Sequence, residues 1–563
     1  MRRPLVVKPI RVRITTVLVL ALITGLTACG GSGSGSSENT LVIGAEQWPD
    51  CVNPITQCAN SSWQLWAVGE HVFPQLTELN DRNEFVASPL LAEMPTVANG
   101  GISGEGANFT ITYRLNPKAV WDDGTPITSE DVRFSWRAVL DTKGTLTTAG
   151  YDKITAIDTP DPQTAIVRFG ETYPDWPDVL GGYTGVILQK AKFPGGTDVS
   201  KTMQTAIDFS GGPWKLQSFS DARAVLVRNE RYWDPARRPK LDSVTFVPAT
   251  TTGTETEALK TGQVDAIYPQ PAPELPAQLR GDDIETAYGV TTQYESLVMN
   301  LKEGRPFADP NVREAFSYAF DRNLFLSDIV KPFAPDTALL QCAAWVPGIG
   351  PWCPGADGPW SDVEADPAKV ETAMARSGYA KDSEGFWAKD GRRLEIGWSV
   401  TSGNARREAT QAQFIPLLAE QGFSVRADNS DADTFFAKQL PAGEYDLSMF
   451  INVVSPDPAV SALYACDQIP GPENDGAGQN VQWYCDPEAE RLMKIIDTSI
   501  DPAARLDAVR DLDQLLRDQY VAFPLNPFPA LVAWRTDRVA GPVDRFVNSP
   551  LSVFRNLWEW ERA

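Results

Sequence analysis

The residues of this chain best suited to covalent chemistry are its seven cysteines, and the first stands at a processing signal. Cys29 ends the sequence Leu26-Thr27-Ala28-Cys29, which follows a basic segment and an apolar run of 13 residues at positions 14–26. This pattern is typical of a secretory signal peptide with a lipobox, whose cysteine receives the lipid. The run is shorter than the roughly 20 residues that span a bilayer, and a buried helix or a membrane anchor is the alternative. We expect a leader at residues 1–28 and a protein anchored outside the cell membrane through Cys29.

The other six cysteines fall into three pairs that are close in sequence. Export permits disulfides, and the simplest pairing joins each cysteine to its neighbour. A metal site is the competing interpretation, but the chain has one histidine and no CxxC motif, so we expect no bound metal. The three expected disulfides are Cys51–Cys58, Cys342–Cys353 and Cys466–Cys485.

Motifs of enzymes are missing from the sequence. It contains no G-x-x-x-x-G-K-[ST], no H-E-x-x-H and no G-x-S-x-G. A Ser/His/Asp triad could use only His71, which sits beside Val72 and Phe73, and a structural role suits it better than catalysis. The paired carboxylates Asp122 and Asp123 precede a glycine and fit a turn. We expect a protein that is not an enzyme and needs no cofactor.

Tryptophan is abundant, with 17 copies, several of them near predicted loops and strand ends. An indole ring combines a large apolar surface with one polar donor, which suits a ligand of mixed character. Ordinary packing is the alternative for any single ring. Together, the tryptophans favour a broad binding cleft.

Length and charge limit the possible architectures and partners. Removing a leader with five basic and no acidic side chains shortens the chain from 563 to 535 residues and changes the net charge from −23 to −28. A chain of this size forms two or three domains. Nucleic acid and acidic lipid headgroups repel such a polyanion, so we expect no nucleic-acid partner and assign membrane attachment to the lipid alone.

Elements of both types alternate along the chain. Residues 41–44 and 394–400 indicate buried strands, and residues 445–451 indicate another. Thr128 begins a capped helix, and Asp-Pro pairs at 309–310 and 366–367 begin two more. Many strand–helix units with mixed hairpins predict α/β lobes rather than a sandwich or a bundle.

Four segments resemble family 5 of the solute-binding proteins of ABC importers, the peptide and nickel type. They are AVWDDGTPITSEDV at 119–132; GGPWKL at 211–216 with LVRNERYW at 226–233; GQVD at 262–265; and MNL at 299–301 with RPFADPNVREAF at 305–316 and AFDR at 319–322. Their order and spacing are similar to those of the family over essentially the whole mature chain. Most of these residues shape turns or begin helices, so they specify the fold rather than the ligand.

The resemblance implies a two-lobed α/β fold of the periplasmic-binding-protein type, with a ligand cleft between the lobes and an extra small domain in the N-terminal lobe. The lipidated Cys29 and a Gly/Ser tether would occupy 29–38. The base of lobe I would comprise 39–62, 190–290 and 525–563, the small domain 63–189, and lobe II 291–524. The protein would act as a monomer that encloses its ligand by hinge closure and delivers it to ABC permease subunits.

The sequence departs from the family at a diagnostic position for the ligand. Peptide binders carry an aspartate there that pairs with the peptide α-amino group, after a "yD" strand and "GW". Here Tyr445-Asp446 is followed by Asn452 at the tryptophan position and Ser455 near the acid position. Asp457 is a possible substitute, although a turn aspartate between two prolines is the alternative. The expected cleft residues are Gln47, Trp48, Tyr294, Trp398, Asn452, Ser455 and Asp457.

Three functions stay open at this point. The first is substrate capture for an ABC importer of peptides or peptide-like solutes. The second is an envelope lipoprotein of the same fold with a regulatory or assembly role and no transport. The third, an exported hydrolase, lacks a nucleophile and base at recognisable spacing.

Overall fold

The computed structural model describes residues 39–182, 185–249, 251–272, 274–430, 434–452, 455–471, 478–549 and 552–563. The predicted leader, Cys29 and most of the tether lie outside these residues. None of the helices within the described ranges is long and apolar enough to cross a membrane.

Strands of the described chain form one large mixed sheet and four small ones. In chain order they are β1 Thr40–Ala45, β2 Thr77–Leu79, β3 Phe85–Ala87, β4 Ile102–Ser103, β5 Thr110–Arg114, β6 Ile154–Asp161, β7 Thr164–Phe169, β8 Trp214–Ser220, β9 Arg223–Arg228, β10 Ser243–Pro248, β11 Ala266–Ile267, β12 Ile284–Met299, β13 Ala380–Lys381, β14 Trp387–Lys389, β15 Arg392–Arg393, β16 Glu395–Ser399, β17 Ser424–Ala427, β18 Leu447–Asn452, β19 Ala522–Arg535, β20 Val539–Ala540 and β21 Glu561–Arg562.

The longer helices begin where the sequence offers a cap. They are α1 Ser129–Asp141, α2 Thr252–Lys260, α3 Pro310–Ala319, α4 Pro367–Arg376, α5 Ala405–Glu420, α6 Pro487–Thr498 and α7 Pro502–Asp518. Thr128 and Asp131 form a capping box at the start of α1. Four helices start at an Asp-Pro pair, where the aspartate accepts backbone N–H bonds and proline occupies the first turn.

The chain also has shorter segments of α- and π-helix. They are Ser62–Gln64, Leu65–Gly69, Glu70–Val72, Leu275–Gln278, Arg322–Phe325, Leu326–Val330, Phe435–Gln439, Leu440–Ala442 and Ser461–Tyr464.

Two long central strands join the halves of the ten-stranded sheet, whose order is β17-β16-β18-β12-β19-β11-β1-β10-β9-β8. Strands β12 and β19 pair antiparallel, with a register shift near their middle. Val290 pairs with Pro529 and Tyr294 pairs with Pro527, so three residues of β12 lie opposite one residue of β19. This irregularity marks the point where the two lobes meet.

A separate hydrophobic core lies on each side of this point. The first draws its buried residues from 41–266 and 530–560, and the second from 294–525. The segment expected to form an inserted domain, 63–189, contains the four-stranded sheet β4-β5-β7-β6 and helix α1, and it shares the first core. The boundaries of that domain stay a prediction.

Most predicted elements occur close to their expected positions, including the capped helices α1, α3 and α4 and the strands β1, β16 and β18. Residues 263–268 of the sequence also predict a strand, and this prediction is too long, because the structure has only Ala266–Ile267 there. The full extent of β12 and of β19 was not predicted.

Candidate ligand-binding site

Strand direction brings several expected cleft residues to the junction of the lobes. Strand β1 is parallel to β11, and β11 is antiparallel to β19, so the C-terminal end of β1 points toward the register shift from the first lobe. Strand β18 is antiparallel to β12, so its last residue, Asn452, reaches the same level from the second lobe. Ligands of open α/β sheets bind at such C-terminal strand ends.

A cavity of about 640 Å³ lies beside this junction on the second lobe. Its volume falls within the range of roughly 300–1,000 Å³ that is usual for ligand pockets. One wall is the sheet, and the others come from the short helix Ser461–Tyr464, the Phe436–Pro441 region and the loop at 478–482. The lining residues are Tyr294, Ser296, Leu297, Val298, Ala343, Phe436, Leu440, Pro441, Phe450, Ile451, Asn452, Leu463, Tyr464, Gly478, Gln479, Val481, Gln482, Ala522 and Phe523.

Alternation along the strands explains the sheet wall. Tyr294 pairs with Asn452 and Ser296 pairs with Phe450, so these four side chains share one face. Asn452 donates from Nδ2 to the Ser296 hydroxyl at 2.8 Å. The wall therefore combines an aromatic surface with a hydrogen-bonded amide and hydroxyl.

Two buried tyrosines line the cavity. Tyr294 and Tyr464 are almost fully buried and share a hydrogen bond between their side chains, and Gln482 bonds to Tyr464. Burial, followed by the neighbouring Tyr464, raises the pKa of Tyr294 well above its ordinary value. Burial also raises the pKa of Tyr464. Both hydroxyls are therefore neutral hydrogen-bonding groups at physiological pH.

A disulfide joins the two ends of a segment that supplies several residues of the cavity lining. Cys466 and Cys485 are bonded, with their Cα atoms 4.7 Å apart, and the segment between them includes Gln479, Val481 and Gln482. The other two bonds join Cys51 to Cys58 and Cys342 to Cys353. All three pairings are those expected from the sequence.

The other expected cleft residues lie elsewhere. Gln47 is exposed after β1, and Trp48 stacks on Phe219 at 5.8 Å while its Nε1 donates to the Ser220 carbonyl at 3.0 Å. Both lie on the first lobe. Trp398 is on β16, fully buried in the second core against Phe320, and does not line the cavity.

Asp457 forms an ion pair with Arg505 within the second lobe. Arg505 donates to both of its carboxylate oxygens, at 2.7 and 2.8 Å, and only 7% of the side chain is exposed. The Ser455 hydroxyl accepts the backbone N–H of Asp457 at 3.2 Å, as in a turn. Asp457 is therefore a turn residue with a paired carboxylate, rather than a residue whose carboxylate is free to bind a ligand.

Sequence reasoning missed most of the cavity lining. Alternation along the predicted strand at 445–451 could have added Phe450. No local pattern marks Phe436, Tyr464, Gln479 or Gln482, which reach the cavity through loops and short helices. Within the described residues, no group of three His, Cys, Asp or Glu side chains is arranged to hold a metal ion.

Comparisons with known proteins agree with this architecture. The model of the family described as bacterial extracellular solute-binding proteins, family 5 Middle, matches residues 89–470. The oligopeptide-binding protein OppA of Mycobacterium tuberculosis strain H37Rv is 23% identical over 550 residues, which cover 92% of this chain and 89% of that relative.

Solved structures share the fold over nearly the whole chain. The periplasmic EDTA-binding protein EppA has a TM-score of 0.80 at 19% identity, with 94% of this chain and 98% of that chain covered. The oligopeptide-binding protein AppA of Bacillus subtilis, in complex with a nonapeptide, has a TM-score of 0.72 at 18% identity, with 93% and 99% covered. With a family model matched over more than half of its length, the chain belongs to family 5 of the bacterial extracellular solute-binding proteins.

Proposed function

We propose that this chain is the substrate-binding lipoprotein of an ABC importer, which captures a peptide or peptide-like solute between its lobes and delivers it to a membrane permease. The observation that carries the proposal is the cavity of about 640 Å³ beside the register shift of β12 and β19. Family membership and an OppA relative matched over most of both chains support it. The alternative of an envelope protein without transport is not favoured by these relatives.

Ligand contacts would come from both lobes. Tyr294 and Asn452 lie on the cavity wall, and Gln47 and Trp48 follow β1 on the opposite lobe. Closure of the lobes would bring the two sets together around the solute, as in hinge-type binding proteins. Ser455 does not line the cavity, and Trp398 would support the wall from the core.

Lipid on Cys29 would keep the monomeric protein at the outer face of the cell membrane. The lipobox supports this assignment, and stable anchoring needs two or more acyl chains. The mass of the purified mature protein should correspond to a chain that begins at an acylated Cys29. A Cys29→Ser variant should be recovered from the soluble rather than the membrane fraction.

A thermal-shift screen with peptides of graded length tests ligand capture. A true ligand at one hundred times its dissociation constant should stabilise the full chain by about 2.7 kcal/mol. Ser296→Phe, which fills the cavity from the sheet wall, should remove the shift, whereas Ser383→Phe, at an exposed turn between β13 and β14, should keep it. If no peptide raises the melting temperature, peptide capture is contradicted.

A further inference from the structure

The described part of the cavity wall carries no formal charge. Among the described residues that line it, none is Asp, Glu, Lys, Arg or His. The polar side chains are two amides of glutamine, one of asparagine, a serine hydroxyl and two neutral tyrosines, and the rest of the surface is aromatic or aliphatic. These lining residues offer hydrogen bonds but no counter-charge of their own.

Three buried carboxyl groups of the second lobe already have partners within the protein. Asp457 is held by both oxygens on Arg505, and Glu295 is bonded by two arginines. Asp513 lies behind the cavity, where one of its oxygens accepts the backbone N–H of Ala343 at 2.7 Å. Burial raises the pKa of Asp513 to about 7, so it is a weak source of negative charge.

On the first lobe, Glu46 follows β1 and is partly buried. Gln270 donates to its carboxylate at 2.9 Å, and burial raises its pKa. Glu46 does not line the cavity.

An ammonium group that entered this cavity would lose its hydration without gaining a charged partner among the described lining residues. Burying an unpaired charge is much more costly than burying a hydrogen-bonded amide. The amide and hydroxyl groups of Asn452, Gln482 and Tyr464 can instead bond to neutral donors and acceptors.

We propose that the solute group bound in this cavity is uncharged, with amide or hydroxyl groups on an apolar or aromatic frame, so that N-blocked peptides bind more tightly than their free-amino forms. This inference rests on the proposed function and narrows its substrate class. It departs from the family's use of an aspartate for the peptide α-amino group.

The test compares two peptides that differ only in one charge. Phe-Leu-Phe-amide and acetyl-Phe-Leu-Phe-amide are titrated into the full chain in detergent by calorimetry at pH 6. The acetylated peptide should bind at least tenfold more tightly, which corresponds to about 1.4 kcal/mol. At pH 9.5 the free amine loses its charge, because its pKa is about 8, and the difference should shrink below threefold.

A carboxylate placed in the cavity should reverse the preference. Asn452→Asp should favour the free-amino peptide at pH 6, and Gln479→Glu, at the exposed rim of the cavity, should act in the same direction if the first variant fails to fold. Asn108→Asp adds the same charge at an exposed position of the first lobe and should leave the preference unchanged.

The outcomes separate this inference from the proposed function. If the free-amino peptide binds equally well or better in the unmodified protein, the neutral-group proposal is overturned while peptide capture stands. The neutral-group proposal is also overturned if Glu46→Gln selectively weakens binding of the free-amino peptide, since the first lobe would then supply the counter-charge. If neither peptide binds, peptide capture fails and the inference fails with it.

Discussion

Two clusters of buried charged side chains in the described chain differ in their proportion of acidic to basic residues and in the parts of the chain that they connect. The first, which we call the arginine-rich cluster, contains Glu295 on β12 and Arg406 and Arg407 in the first turn of α5. Glu295 is fully buried, and each of its oxygens is bonded by one guanidinium, with Arg407 Nε at 2.8 Å from Oε1. Burial alone would raise the pKa of Glu295, but the two arginines outweigh it and hold the pKa below its usual range.

The second, the aspartate-rich cluster, has the opposite balance. It contains Arg505 on α7 with Asp457, Asp497 and Asp175. One carboxylate oxygen of Asp497 accepts a hydrogen bond from the Ser461 hydroxyl. The other oxygen of Asp497 is buried without a hydrogen-bond partner among the described residues, and so is Oδ1 of Asp175. Burial, followed by the charge of Asp457, raises the pKa of Asp175 well above its usual value.

The difference lies in the parts of the chain that each cluster connects. All three residues of the arginine-rich cluster belong to the second lobe, where they attach α5 to the strand that passes between lobes. The aspartate-rich cluster joins the second lobe to Asp175, which lies in the segment expected to form the inserted domain. The first contact pairs its buried charges, whereas in the second burial and the charge of Asp457 raise the pKa values of Asp175 and Asp497 and favour their protonated forms.

The largest expected effect is on the arginine-rich cluster. Glu295→Gln leaves two buried guanidinium groups without a counter-charge, and breaking a buried pair in this way costs about 3–5 kcal/mol. Urea unfolding followed by near-UV circular dichroism should show this loss. Glu488→Gln removes an exposed partner of Arg491 and is the matched control, for which no measurable change is expected. A loss in Glu295→Gln as small as in the control would contradict the assigned burial of charge.

A smaller loss is expected when Asp457 is changed. Asp457→Asn removes the bidentate partner of Arg505, but Asp497 and Asp175 remain to offset its charge, so we expect a loss of about 2 kcal/mol. Asp362→Asn breaks a similar bidentate contact to Arg517 at the surface and should cost less. If Asp457→Asn is as damaging as Glu295→Gln, the neighbouring aspartates do not share the charge of Arg505.

Local patterns account for the helices that carry Asp497 and Arg505. The Asp-Pro pairs that begin α6 and α7 are visible in the sequence, because an aspartate cap and a proline in the first turn need no distant partner. The motifs shared with family 5 predicted the two-lobed fold for a similar reason, since most of them shape turns and helix starts.

Those local patterns could not predict long-range strand pairing or long-range ion pairs. Strand β19 contains Pro524, Pro527 and Pro529, and prolines argue against a central strand. The structure accommodates them around the register shifts that mark the lobe junction. Likewise, Asp457 and Arg505 are 48 residues apart in the chain. The sequence therefore could not show that the Asp457 carboxylate, which was expected in the ligand cleft, is paired with Arg505.

The smallest effect is expected in the pH dependence of stability. Burial raises the pKa of Asp497 to about 6, with the Ser461 hydroxyl opposing the shift and Asp457 adding to it; Arg505 and Glu171 also act on this group. A raised pKa means that the folded state binds the proton more tightly. Its contribution to stability is therefore full below the ordinary value of 3.8 and is lost as the pH rises through about 6.

Removing the Asp497 carboxyl should flatten this part of the profile. Asp497→Asn should gain about 1 kcal/mol relative to the unmodified protein between pH 4 and pH 7, after allowance for its remaining solvent access. Urea midpoints measured at half-unit steps of pH test this, with Asp507→Asn, at an exposed position of α7, as the control. An unchanged slope in Asp497→Asn would show that the aspartate-rich cluster is satisfied at neutral pH, and the contrast between the two clusters would then reduce to the sign of their charge.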